Sequence, residues 1–168
     1  MTLVGFRARN NEQQVSARGA IDDVDDRETD PRLWLALHER FGFTIDAAAA
    51  PHNAKLPRYF TREQNGLEQP WDTERIWCNP PYSDIEPWIR KALSETAQIV
   101  VMLLPANRTE QRWWQRLIEP VRDRPGSRVR VEFLPGRPRF LSPGEDTPRP
   151  NSRPPFGVCL LIIDGQAS

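Results

Sequence analysis

Ile76-Trp77-Cys78-Asn79-Pro80-Pro81-Tyr82-Ser83 is the stretch whose reading decides the fold. Ile76, Trp77 and Cys78 have the apolar character of a short buried strand. Pro80 and Pro81 have no N–H to donate, so they stop both a sheet ladder and a helix. Asn79 precedes a proline and is pushed towards an extended conformation. The stretch therefore predicts a stiff turn at the carboxyl end of a strand, the edge where open α/β sheets bind their ligands. A helix is predicted behind the turn. Ser83 and Glu86 have capping-box spacing, and Ile85, Trp88, Ile89, Ala92 and Leu93 form an apolar stripe.

The residue types in this turn point to a chemistry. Asn79 carries a side-chain carbonyl acceptor and an NH2 donor pair. With no N–H on the next two residues, the Pro80 and Pro81 carbonyls are expected to point outward as acceptors. Two acceptors converging on a planar –NH2 group hold both its hydrogens and leave the nitrogen lone pair free to attack an electrophile. Tyr82 offers a ring face for a flat substrate. The constellation suits alkylation of an amino group on a flat heterocycle, or of an amide. The alternative is an ordinary proline-rich turn with Tyr82 as a packing residue, because short motifs carry a real false-positive risk.

Outward from the turn, the chain alternates between strand and helix signals. Asp30 and Pro31 have the positions of an N-cap and a first helical residue, and Leu33, Trp34, Leu37 and Phe41 form the stripe. Phe43-Thr44-Ile45-Asp46 alternates like a strand that ends in a carboxylate. Such an acid can accept from an amino or hydroxyl group of a cofactor, and the following Ala47-Ala48-Ala49-Ala50 lets a ligand approach the backbone. The rival reading of Asp46 is a solvated strand end. Pro57–Thr61 is expected as a second short strand, with Glu63 on the polar turn after it. Gln98–Leu104 is a continuous apolar run, as in a parallel strand buried on both faces. Asn107 and Glu110 are placed to cap a helix with the stripe Trp113, Trp114, Leu117 and Ile118. Arg128–Leu134 alternates as an edge strand, and Phe156–Ile163 reads as a last strand pairing antiparallel with it. The loop between them, 136–153, is rich in proline and arginine.

Composition narrows the class. A chain of 168 residues is expected to form one domain, residues 30–168, after a polar flexible arm, residues 1–29. No apolar run approaches the ~20 residues needed to span a bilayer, and no secretory h-region opens the chain. A cytoplasmic location, in a bacterial host cell, and no membrane partner are expected. Cys78 and Cys159 lie in apolar runs and read as buried thiols; His38 and His52 sit apart, so no metal site is expected. No glycine-rich phosphate loop occurs. The formal net charge is zero, yet Asn107–Arg153 holds 11 arginines against six acids, so one face can be basic on a neutral molecule. The oligomeric state stays open, with a monomer favoured.

Several short matches occur in a fixed order. They are Asp30-Pro31, Phe43-Thr44-Ile45-Asp46-Ala47-Ala48, Asn53-Ala54-Lys55, Pro57-Arg58-Tyr59-Phe60-Thr61, Gly66-Leu67, Pro70-Trp71, Trp77-Cys78-Asn79-Pro80-Pro81-Tyr82 and Leu103-Leu104-Pro105-Ala106. In this the chain resembles the phage-type DNA adenine-N6 methyltransferases, the Dam-like family of bacteriophages and prophages. The likeness runs from about Asp30 to Ile163. It implies an α/β methyltransferase (Rossmann-like) fold with a seven-stranded, mostly parallel sheet and one antiparallel strand. It implies S-adenosylmethionine as methyl donor and N6 of adenine in double-stranded DNA as acceptor, reached by base flipping. Asn79, Pro80, Pro81 and Tyr82 fall on the family's catalytic motif. Asp30, Pro31, Asp46, Ala47, Glu63 and Asn79 are the candidates for cofactor contact, and Asn107, Arg108, Arg137 and Arg139 for DNA contact. Two positions depart from the family pattern: Asp30 stands where Thr is expected, and Asn65 where Asp is expected before Gly66-Leu67. A protein-glutamine methyltransferase and a DNA-binding relative without catalysis are the rival readings.

Overall fold

The computed structural model describes residues 28–138, 140–141 and 156–165. Its elements are β1 (Glu28–Thr29), α1 (Pro31–Phe41), β2 (Ile45–Asp46), β3 (Arg75–Cys78), α2 (Glu86–Ser94), β4 (Ile99–Pro105), β5 (Val129–Phe133), β6 (Phe140–Leu141) and β7 (Val158–Asp164). All seven residues of β4 are buried, as its unbroken apolar run requires. Alternation along the strand splits the core in two. Ile99, Val101 and Leu103 pack with Leu37 and Phe41 of α1, with Phe43 and with Trp77. Val100, Met102 and Leu104 pack on the other face with Ile89 and Ala92 of α2 and with Trp113, Trp114 and Ile118.

The main sheet has the order β2-β3-β4-β7-β5. β2–β3 and β3–β4 are parallel, whereas β4–β7 and β5–β7 are antiparallel. The sheet is thus mixed, not mostly parallel as the sequence predicts. The cause is the place of β7: its apolar run needs cover on both sides, and it inserts between β4 and β5, adding two antiparallel ladders. The expected seven strands are divided, since β1 and β6 pair antiparallel as a separate ribbon. Glu28 and Thr29, expected at the end of a flexible arm, are therefore strand residues. The rest of that arm, residues 1–27, lies outside the described residues.

Local signals succeed where the backbone chemistry is strict. Asp30 caps α1, its carboxylate accepting the Arg32 N–H at 2.8 Å, and Gly42 ends the helix in the left-handed region. Three expectations change. α2 starts at Glu86 with Ile85, not Ser83, in the cap position. Pro57–Thr61 contributes one isolated parallel bridge, Asp46 to Tyr59, in place of a strand. The helix expected after β4 contracts to a π-helical turn, Trp114–Ile118, closed by Glu119 N–H on the Trp114 carbonyl at 3.0 Å.

Between β2 and β3 the chain folds back onto the strand end through Gly66. A Cβ there would lie 2.1 Å from the Ala47 carbonyl oxygen and 3.2 Å from the Trp88 ring. The Gly66 carbonyl also accepts the buried Trp71 indole N–H at 3.1 Å. Gly66→Ala is expected to cost about 1–3 kcal/mol through forced backbone displacement. A urea titration should then show a lower midpoint at an unchanged slope.

Candidate active site

The β2–β3 ladder closes with the Ala47 N–H on the Trp77 carbonyl at 2.9 Å. Beyond it the two prolines end β3 as their chemistry requires, and Asn79–Tyr82 leaves the sheet as an elbow. Pro80 is buried and Pro81 half-buried. The Pro81 carbonyl, expected to point outward, instead accepts the Asp84 N–H at 3.2 Å and closes a turn. Asn79 is half-buried, and its Oδ1 is shielded from solvent with no hydrogen-bond partner. An amide oxygen buried in that way costs free energy unless something donates to it.

Tyr82 is 8% exposed, and its ring centroid lies 6.1 Å from that of Phe156. Its hydroxyl is also buried without a partner, and burial pushes its pKa well up. The backbone of Tyr82 is tied elsewhere: the Arg108 guanidinium donates to its carbonyl oxygen. Arg108, a DNA-contact candidate from the sequence, thus links the loop after β4 to the elbow. Cys78, next to Asn79, is fully buried, and desolvation raises its thiol pKa far above the usual value, with Asp46 adding to the effect. Such a thiol is a packing group, not a nucleophile.

Parallel pairing brings the end of β2 to the same edge, with Asp46 opposite Trp77. Asp46 is 2% exposed, so the expectation of a solvated strand end does not describe it. Its carboxylate accepts the Ala48 N–H at 3.3 Å and the Lys55 N–H at 3.2 Å. Burial nevertheless raises its pKa to about 7; those two hydrogen bonds and the Lys55 charge oppose the rise. Ala47 is wholly buried beside it.

Asp46 and Asn79 line one shallow cleft, partly open to solvent, with Glu28, Thr29, Ala48, Asn53, Lys55 and Trp77. The Lys55 side chain is only 8% exposed and forms an ion pair with Glu28. Glu28 and Thr29 escaped the sequence reading. Their signal is weak: two residues before a helix cap, in a stretch whose composition is that of an arm. Asn53 and Lys55 entered that reading only as part of a family-like string.

The other candidates lie apart from the cleft lining. Asp30 and Pro31 follow Thr29 directly but serve as the start of α1. Glu63 is exposed on a turn, its carboxyl held low by its own backbone N–H and the Thr61 side chain. Asn65 adopts φ 51, a conformation that Asn tolerates well, and its Oδ1 accepts the Leu67 N–H at 3.3 Å. Asn107 and Arg137 are exposed, and Arg139 lies outside the described residues. Among the described residues no group of three or more His, Cys, Asp or Glu can hold a metal ion, and no helix is long and apolar enough to cross a membrane.

The family described as DNA N-6-adenine-methyltransferase (Dam) matches residues 19–145. The chain is similar to the DNA N-6-adenine-methyltransferase of Haemophilus phage HP1 (strain HP1c1), with 40% identity over 65 residues, or 37% of this chain. It is similar to the protein of the same description from Escherichia phage T1, with 35% identity over 91 residues, or 51% of this chain. The match spans 38% of the length of each of these relatives.

The state of Asp46 has a measurable consequence. Its folded pKa lies above the ordinary 3.8, so between about pH 4 and pH 7 the folded chain binds more protons than the unfolded one. The stability contributed by the neutral carboxyl is whole below about pH 4 and is lost as pH rises through about 7. Asp46→Asn removes this dependence. Urea titrations across the window should show the variant gaining on the parent as pH rises, by an amount on the order of a few kcal/mol.

Proposed function

The chain belongs to the DNA N-6-adenine-methyltransferase (Dam) family, and on that footing we propose that it transfers a methyl group from S-adenosylmethionine to N6 of adenine in double-stranded DNA. The observation that carries the reading is the buried, unpartnered Asn79 Oδ1 at the tip of β3. It is an acceptor held ready for an N–H donor that the chain itself does not supply. The fold assigned is the methyltransferase variant of the α/β class, with the ligand cleft at the carboxyl edge of β2 and β3.

The donor set of the cleft fits the cofactor. Glu28 and Lys55 suit the ammonium and carboxylate of an amino-acid end, and the buried Asp46 carboxyl lies in the same cleft for the cationic part of the ligand. When bound, the cofactor supplies a methyl group on a cationic sulfur. The remaining work belongs to the chain. Asn79 Oδ1 and the Pro80 carbonyl accept from the two N6 hydrogens and orient the nitrogen lone pair. Orientation of this kind supplies roughly 7–11 kcal/mol in favourable cases. Adenine reaches the elbow by flipping out of the duplex, at a cost of a few kcal/mol in stacking and pairing. Tyr82 stacks on the extruded base, which requires its ring to turn away from Phe156. Asn107, Arg108, Arg137 and Arg139 are assigned to DNA; Arg108 approaches it from beside the elbow.

Asn79→Ala is expected to lower methylation by about 100-fold or more, the scale of losing one buried, preorganised polar group, while S-adenosylmethionine still binds. Incubation with labelled S-adenosylmethionine and unmethylated DNA, followed by nucleoside analysis, reads this directly. Label on N6-methyladenine that Asn79→Ala eliminates supports the assignment. Label on protein glutamine, DNA retained without label, or full turnover by Asn79→Ala overturns it.

A further inference from the structure

The charges lining the cleft do not balance. Three of its lining residues have ionisable side chains: Glu28, Lys55 and Asp46. The Lys55 ammonium is paired with Glu28, so the two add no net charge to the lining, although the lysine charge still reaches Asp46 and opposes the rise of its pKa. Asp46 remains; among the described residues the backbone N–H groups of Ala48 and Lys55 donate to it. The titratable groups around it are Glu28 on β1, Lys55 and Tyr59 on the segment after β2, and Cys78 on β3. When Asp46 ionises, the described lining residues sum to one net negative charge, held on a carboxyl that is itself buried. A ligand with one net positive charge completes it; an electroneutral ligand does not.

This is the difference between the methyl donor and what it leaves behind. S-Adenosylmethionine has a sulfonium, an ammonium and a carboxylate, one net positive charge. Its demethylated product has a neutral thioether and no net charge. We propose that Asp46 makes the cleft selective for the cationic donor over the spent, electroneutral thioether. The proposal rests on the donor reading of the cleft given above. Asp46 need not touch the sulfur: a buried unit charge acts over several ångströms, and two unit charges about 6 Å apart at an effective dielectric of about 20 interact strongly enough for roughly tenfold discrimination or more. The carboxyl is suited to the task because burial raises its pKa to about 7, into the neutral range. Donor binding draws its proton into solvent, and product binding leaves the proton in place. Turnover thereby weakens the hold on the product.

Calorimetric titration of the whole chain tests this without any turnover. S-Adenosylmethionine and S-adenosylhomocysteine are the probes, in buffers of different ionisation enthalpy, between about pH 6 and pH 8. The expected result has three parts. Donor binding releases roughly half a proton near pH 7 and tightens several-fold as pH rises. Product binding releases none and stays flat with pH. Asp46→Asn abolishes the release and brings the two affinities together, while retained product binding reports an intact cleft. If that variant binds neither ligand, the parent chain decides by its two pH profiles alone. Equal proton release by both ligands, or an undiminished donor preference in Asp46→Asn, overturns the proposal while leaving the methyltransferase reading standing. Failure of both ligands to bind the parent chain overturns the donor reading and the proposal together.

Discussion

The parallel pairing of β2 with β3 is the constraint from which the site follows. Ile45 lies opposite Ile76 and Asp46 opposite Trp77, so both strands end at one edge. Side chains in a strand alternate between faces, and a slip of one residue would send Asp46 to the other side of the sheet. The register is held by packing on both faces: Ile45 and Ile76 in one half of the core, Phe43 and Trp77 in the other. Beyond this ladder, two prolines stop β3 and Gly66 seats the return segment against Ala47. A buried carboxyl and an unpartnered amide oxygen are thereby held in the walls of one cleft, which neither strand could build alone.

Some of this was legible in the residues. The elbow follows from two missing N–H groups, and the α1 cap from Asp30-Pro31, because both are local backbone chemistry. The apolar run of β4 announced a strand covered on both faces. What sequence could not show depends on distant partners. β7 inserts inside the sheet, and nothing in its own residues says between which strands. Glu28 and Thr29 become site residues only because β1 pairs with β6, more than a hundred positions away. Ser83 has the spacing of a cap, yet α2 begins at Glu86 and leaves that residue in the preceding turn. The candidate site divides in the same way. Asp46 and Asn79 were found by chemistry, whereas the rest of the cleft wall was assembled by topology.

The elbow is stiff at one point and tied at another. Pro80 and Pro81 restrict its backbone, the Pro81 carbonyl is engaged by Asp84, and the Tyr82 carbonyl accepts from Arg108. The Tyr82 ring lies in the core beside Phe156. Residues that act in the proposed reaction are thus braced by neighbours that do not, and Arg108 joins the loop after β4 to that brace. An arginine that the sequence offers as a DNA contact braces the elbow in the fold.

The two margins of the main sheet are finished differently. Beside β2 the chain covers its own rim: the Asp46 backbone N–H donates to the Arg58 carbonyl, the Phe60 N–H to the Asp46 carbonyl and the Ala49 N–H to the Phe60 carbonyl. Beside β5 the described residues offer charge instead. Glu132 is gripped by both Arg40 nitrogens, and Arg130 by Asp164. Fixed charges along a rim discourage another strand from docking there, because pairing would strip their water. Growth of the sheet by edge-to-edge addition, the first step towards aggregation, is thus opposed on one flank by self-coverage and on the other by electrostatic hydration.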